Sequence, residues 1–255
     1  MIRAALRTAA AAVLVSLWVF VAGPPVLLWT MLTGRPALLY ATAAFGVRMG
    51  FALTGITIRL AGVENLQSGP VVYASNHSSN VDSPAVFYAL RRLFPRVRVL
   101  YKAELRKLPV LVWAFDVAGF VPIARGDRDQ SWAAVDRAAE ALRQGYAFFV
   151  FPEGTRSRTG ELLPFKKGGF VMALKAQAPI VPIVVSGGRA AMRKGSLLIW
   201  PATVTVRLLP AIATAGLSYK DRDSVIAKVR TVMEAALGTT STTGTTGSTG
   251  PRNLT

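Results

Sequence analysis

The sequence predicts an α/β fold, a largely parallel central sheet covered by helices and preceded by an N-terminal two-helix membrane-anchoring segment. Three observations predict it. From Ile56 onward, short apolar runs alternate with helical stretches, the pattern of successive βαβ units. Before Ile56 the chain is almost continuously apolar. Two small polar clusters, at residues 76–82 and 153–158, each follow an apolar run directly. Open α/β sheets place their ligands at that position, beyond the carboxyl ends of the strands.

Taken in order, the first segment opens with Arg3 and Arg7 and runs apolar over residues 9–21. Gly23-Pro24-Pro25 is expected to interrupt it before residues 26–32 resume. A secretory signal peptide also has a basic start and a short apolar core. Here, however, apolar character continues past Leu38 and Leu39, where a cleaved chain would turn polar. The first run falls short of the roughly 20 residues of a straight bilayer span. A second helix is expected over residues 37–53. The pair reads as an anchor, inserting shallowly or spanning only when counted across the prolines. Arg3, Arg7, Arg35 and Arg48 would then lie at the headgroups of the cytoplasmic leaflet, which places the chain on the cytoplasmic face of the inner membrane.

Candidate strands cover residues 56–60, 71–75, 97–101, 120–123, 147–151, 180–185 and 203–209; candidate helices cover 84–92, 108–115, 128–144, 169–177 and 221–237. The helix from Arg128 has the clearest period. Trp132, Val135, Ala139 and Leu142 share one face, Asp136, Arg137, Glu140 and Arg143 the other, and Gly145 ends it. Residues 178–185 carry Pro179 and Pro182, which suggests an edge, a bulge or a shaped wall. After Gly238 the chain is a Thr/Gly/Ser tract that cannot bury a core. The expected units are therefore 1–55 (membrane-associated helices), 56–237 (catalytic domain) and 238–255 (disordered tail).

Hydrophobic residues make up 52% of the 255, and 30 Lys and Arg against 13 Asp and Glu give a net charge of +17. That charge favours a polyanionic partner, and the apolar leader selects an anionic membrane surface over nucleic acid. With no cysteine there is no disulfide framework and no thiol nucleophile. One histidine and no cysteine leave too few ligands for a zinc site, so no metal is expected.

The single histidine is His77, in Asn76-His77-Ser78-Ser79-Asn80-Val81-Asp82. An imidazole is the side chain best suited to accept a proton near neutral pH. On one continuous helix, His77 and Asp82 would stand about 140° apart. The segment is therefore read as strand, loop, then helix, with Ser83 as cap and Pro84 in the first turn. The loop can then fold Asp82 back onto the ring, making a general base and its orienting carboxylate. The second cluster is Phe151-Pro152-Glu153-Gly154-Thr155-Arg156-Ser157-Arg158. Arg156 offers a fork of donors suited to a phosphate, Gly154 permits a tight turn, and Glu153 could hold that arginine or contact substrate hydroxyls. Lys166 and Lys167 add cations ahead of a helix amino terminus, and Arg125 ends another strand. Backbone amides at residues 76–78, or Lys102, are candidates for stabilising an oxyanion.

The His-x4-Asp spacing at His77 and Asp82, the Phe-Pro-Glu-Gly-Thr-Arg-Ser block at residues 151–157, the Arg125 block and the Pro-Ile-Val-Pro segment occur in that order. Together they resemble the glycerolipid acyltransferases, in particular the 1-acyl-glycerol-3-phosphate acyltransferases. Ala124 departs from the pattern, since many members carry a polar residue there. The resemblance implies acyl transfer from acyl-CoA or acyl carrier protein to a lysophospholipid hydroxyl, without a cofactor. It implies His77 and Asp82 as catalytic and Arg125, Glu153, Gly154, Thr155 and Arg156 as substrate-binding, to which the reading of the residues themselves adds Lys102 and Lys166. Other readings are acylation of a different lysolipid, a membrane-bound serine hydrolase using Ser75, Ser78 or Ser79, and a non-catalytic lipid-binding protein.

Overall fold

Val71, Tyr73 and Phe149 face one side of a sheet while Val72, Ala74 and Phe148 face the other, and all are buried. That two-residue alternation with both faces covered is what a central parallel strand requires. The computed structural model describes residues 1–107, 109–124 and 128–242. Among the described residues, seven strands form the sheet: β1 (Ile56–Ala61), β2 (Val71–Ser75), β3 (Val97–Lys102), β4 (Val121–Ile123), β5 (Ala147–Val150), β6 (Ile180–Ser186) and β7 (Ala202–Leu208). Their spatial order is β1-β7-β6-β2-β5-β3-β4. All neighbours pair in parallel except β6 with β7. The carboxyl ends of β6, β2, β5, β3 and β4 consequently share one edge, and both polar clusters emerge there.

Helices α1 (Ile2–Thr33) and α2 (Ala37–Thr54) precede the sheet, followed by α3 (Asp82–Ala89), α4 (Pro109–Val117), α5 (Arg128–Arg143), α6 (Gly168–Ala176), the short α7 (Gly188–Ala191) and α8 (Arg222–Thr242). Leu142 of α5, Phe170 of α6 and Met233 of α8 close one face of the sheet. Val86 of α3 and Phe51 of α2 close the other.

Several boundaries differ from the sequence expectation. Gly23-Pro24-Pro25 does not interrupt α1, which runs unbroken through both prolines. Each proline removes one backbone donor, and α2 packs alongside α1 in the turns before them. Gly46 and Gly50, one turn apart on α2, let Trp18 and Val15 of α1 approach closely, and Trp18 Nε1 donates to the Thr42 carbonyl at 3.1 Å. α3 begins at Asp82, two residues before the expected start, with Val81 at the N-cap and no cap from Ser83. The last helix does not end at Leu237: it carries Gly238 through to Thr242, so the start of the expected disordered tail is helical. Leu108, Arg125 and residues 243–255 lie outside the described residues.

Pro182 sits in a central strand, between β2 and β7. The reason it is tolerated is local. Its carbonyl accepts from Leu209 N–H at 2.9 Å, so its donorless nitrogen also faces the β7 side, just past the last ladder pair, Ile183 with Leu208. The partner chain bulges there and rejoins only at the Ile180–Ile212 bridge.

The helical pair lies against this body. Tyr40 of α2 is buried and donates its hydroxyl to the Val97 carbonyl of β3 at 2.6 Å. At the other end, Thr8 of α1 pairs with Ile199, its Oγ1 accepting from Ile199 N–H at 2.9 Å. α1 and α2 are both long and apolar enough to cross a membrane. Phe20 (84% exposed), Val13 and Leu32 are among the apolar side chains on the outer face of α1.

Candidate active site

β2 ends at Ser75, and Asn76 continues its ladder with a side chain. The Asn76 amide donates to the Val185 carbonyl at 3.0 Å and accepts from Val185 N–H at 2.7 Å, which fixes the loop to the end of β6. His77 follows, held at both backbone groups by the second polar loop. Its N–H donates to Glu153 Oε1 at 2.7 Å, and its carbonyl accepts from Ser157 N–H at 2.7 Å.

Asp82 is fully buried in the first turn of α3, where the helix dipole favours an anion. Its Oδ2 accepts from Ser78 N–H at 2.6 Å and Ser79 N–H at 2.7 Å and lies 3.3 Å from His77 Nδ1. Oδ1 has no hydrogen-bond partner among the described residues. It rests on Gly188, where a Cβ would come within 2.2 Å of it. With Nδ1 turned to the carboxylate, the ring accepts a proton at Nε2. The Phe151 ring stacks on the imidazole at 3.9 Å between centroids and 16° between planes, fixing its plane.

The structure thus joins His77 to Asp82. Of the remaining candidates, Glu153 takes a different place from the one expected. Glu153 is buried, with Oε1 on His77 N–H and Oε2 accepting from Leu163 N–H at 3.1 Å. It braces two stretches of backbone, and among the described residues neither oxygen is paired with Arg156. Burial pushes its carboxyl above the usual range, against the pull of the two backbone donors. Gly154 has φ +66°, and the Lys166 side chain packs over it, 3.0 Å from where a Cβ would sit. Thr155 is exposed and Arg156 half-buried, its carbonyl accepting from Lys194 Nζ at 2.7 Å. Lys102 ends β3 on the same sheet edge with its ammonium 3.1 Å from Glu104. The amides of His77 and Ser78 are taken by Glu153 and Asp82, so they are not open to an oxyanion. Ser75 Oγ donates to the Asn76 carbonyl and Ser79 Oγ to the Met192 carbonyl, which removes two of the three serines considered as nucleophiles.

Sequence reasoning gave no role to the side chains of Phe151 and Asn76 or to Gly188. The Gly187-Gly188 pair directly after a buried strand was a usable signal for a close backbone approach.

The acyltransferase family model matches residues 57–186, the stretch from β1 to the end of β6 that holds both loops. The chain belongs to this family. Among relatives of this acyltransferase, the chloroplastic 1-acyl-sn-glycerol-3-phosphate acyltransferase BAT2 of Brassica napus is 40% identical over 139 residues, 54% of this chain and 39% of that protein. The 1-acyl-sn-glycerol-3-phosphate acyltransferase of Limnanthes douglasii is 35% identical over 183 residues, 70% of this chain and 62% of that one. The Saccharomyces cerevisiae enzyme of the same name is 33% identical over 185 residues, covering 71% and 60%. The chain therefore spans between about two fifths and three fifths of the length of these relatives. The crystal structure of the 1-acyl-sn-glycerophosphate (LPA) acyltransferase PlsC from Thermotoga maritima shares the fold, with a TM-score of 0.76 over 92% of this chain and 96% of that one at 24% identity.

Proposed function

We propose that this acyltransferase moves a fatty acyl group from acyl-CoA or acyl carrier protein to the free hydroxyl of 1-acyl-glycerol-3-phosphate, giving phosphatidic acid. The observation that carries the reading is the His77–Asp82 pair at 3.3 Å, with Nδ1 turned to the buried carboxylate and Nε2 left as the base. The names of the relatives support the acceptor. An alcohol is a poor nucleophile at neutral pH, so Nε2 takes its proton as the oxygen attacks the thioester carbonyl. Asp82 holds the ring's tautomer and offsets the positive charge that forms. Collapse of the tetrahedral intermediate breaks the carbon–sulfur bond, and the thiolate leaves with the proton held on the imidazolium. General-base assistance of this kind contributes about 10² to 10⁴ in rate. Arg156, aided by Lys166, grips the acceptor phosphate. No cofactor enters this scheme.

The apolar outer face of α1 and the net charge of +17 support a seat on the cytoplasmic face of an anionic inner membrane, where both greasy substrates reside. The test is an assay of purified protein with radiolabelled acyl-CoA and a panel of lysolipid acceptors. His77→Ala and Asp82→Asn are each expected to lose at least about a hundredfold in turnover. Near-normal acylation by His77→Ala would remove the base, and preference for an acceptor without a phosphomonoester would reassign Arg156.

A further inference from the structure

Between α7 and β7 the chain runs out over residues 192–201, Met-Arg-Lys-Gly-Ser-Leu-Leu-Ile-Trp-Pro, a segment to which no step above assigns a role. Leu197 at its tip is 85% exposed and Trp200 is 40% exposed. A single exposed leucine needs no explanation, but this one has company. Arg189, Arg193, Ser196 and Trp200 line a groove of about 640 Å³ beside it. An apolar tip, a half-exposed tryptophan and adjacent guanidinium groups form the combination that settles at a bilayer–water boundary.

The location matters as much as the composition. Ile199 is hydrogen-bonded to Thr8 through both backbone groups, and Pro201 and Arg7 both crowd Gly55 at the end of α2. The tip is therefore beside the start of α1, whose exposed Ile2 and Leu6 and cations Arg3 and Arg7 extend the same chemistry. The segment also reaches the candidate site. The Met192 carbonyl accepts from Ser79 Oγ, and Lys194 Nζ donates to the Arg156 carbonyl, both at 2.7 Å.

We propose that residues 192–201 form a second membrane contact. Leu197 and Trp200 enter the boundary between headgroups and acyl chains, and Arg189 and Arg193 meet the phosphates of anionic lipid. With α1 this fixes the rotation of the domain on the bilayer, and the bonds to Ser79 and Arg156 pass that orientation to both loops of the site. The proposal rests on the membrane seat given above.

The chain has no cysteine, so Leu197→Cys gives one labelling site in the full-length protein. A nitroxide there, with vesicles of phosphatidylcholine and phosphatidylglycerol, is expected to become more accessible to oxygen than to a water-soluble nickel chelate. A label at Arg137→Cys, exposed on α5 across the sheet, is expected to stay in water. Arg193→Glu is expected to weaken binding to the anionic vesicles roughly tenfold. A Leu197 label still in water on protein that sediments with vesicles overturns the second contact and leaves the seat through α1 standing. Failure of the wild-type chain to bind any vesicle overturns both. Spin–spin broadening without lipid assigns the tip to a second copy of this chain and overturns the lipid contact.

Discussion

Asp82 Oδ2 gathers two backbone donors and the imidazole, while Oδ1 lies bare against Gly188. The missing side chain at residue 188 is thus part of how the carboxylate is aimed. Gly188→Ala puts a methyl carbon 2.2 Å from Oδ1, so Asp82 must turn or α7 must move. The expected result is a fall in kcat comparable to that of Asp82→Asn with KM little changed, measured by steady-state kinetics; a fall confined to KM would detach Gly188 from Asp82. Glu153 supplies a pH signature. Because burial raises its folded-state pKa, the folded chain holds that proton more tightly than the unfolded one. Across the window above the ordinary glutamate value of 4.5, this group's contribution makes stability fall as pH rises. Glu153→Gln should flatten that part of the curve, while lowering stability at every pH by about 1–3 kcal/mol because an amide cannot accept from both backbone donors. Thermal melts across the acidic range check both effects.

At the scale of elements, the site depends on how strand ends are tied together. Asn76 binds the end of β2 to β6, and Glu153 and Ser157 bind the loop after β5 to His77. Helix α2 is part of the same body, because Tyr40 donates to Val97 of β3 from a buried position. Tyr40→Phe leaves that carbonyl without its donor and is expected to cost about 1–3 kcal/mol, read as a lower midpoint in denaturant. Unchanged stability would mean that the helical pair is attached only loosely.

For the whole molecule, charge and apolar surface act together. A chain with net charge +17 and an exposed apolar helix should bind anionic vesicles more tightly than neutral ones. Raising salt from about 0.1 M to 1 M shortens the screening length from roughly 10 Å to 3 Å, so the charge-dependent part of the affinity should fade while the apolar part persists. Co-sedimentation at both salts separates the two. Affinity that is independent of both lipid charge and salt would assign the basic surface to another partner.

By itself the sequence determined the α/β alternation, all seven strands to within two residues, and the pairing of His77 with Asp82. These are local properties: a two-residue period, turn residues, and two groups separated by a short loop. Tertiary structure decided the rest, because it turns on partners far apart in the chain. Nothing near Glu153 reveals that its oxygens go to His77 and Leu163, and nothing near Asp82 reveals that Gly188 lies against it. The same holds for Pro182, which a central strand accepts because the chain beyond β7 bulges there. Sequence pattern reports which groups prefer burial or a turn; only the packed fold settles which distant donor each buried acceptor meets.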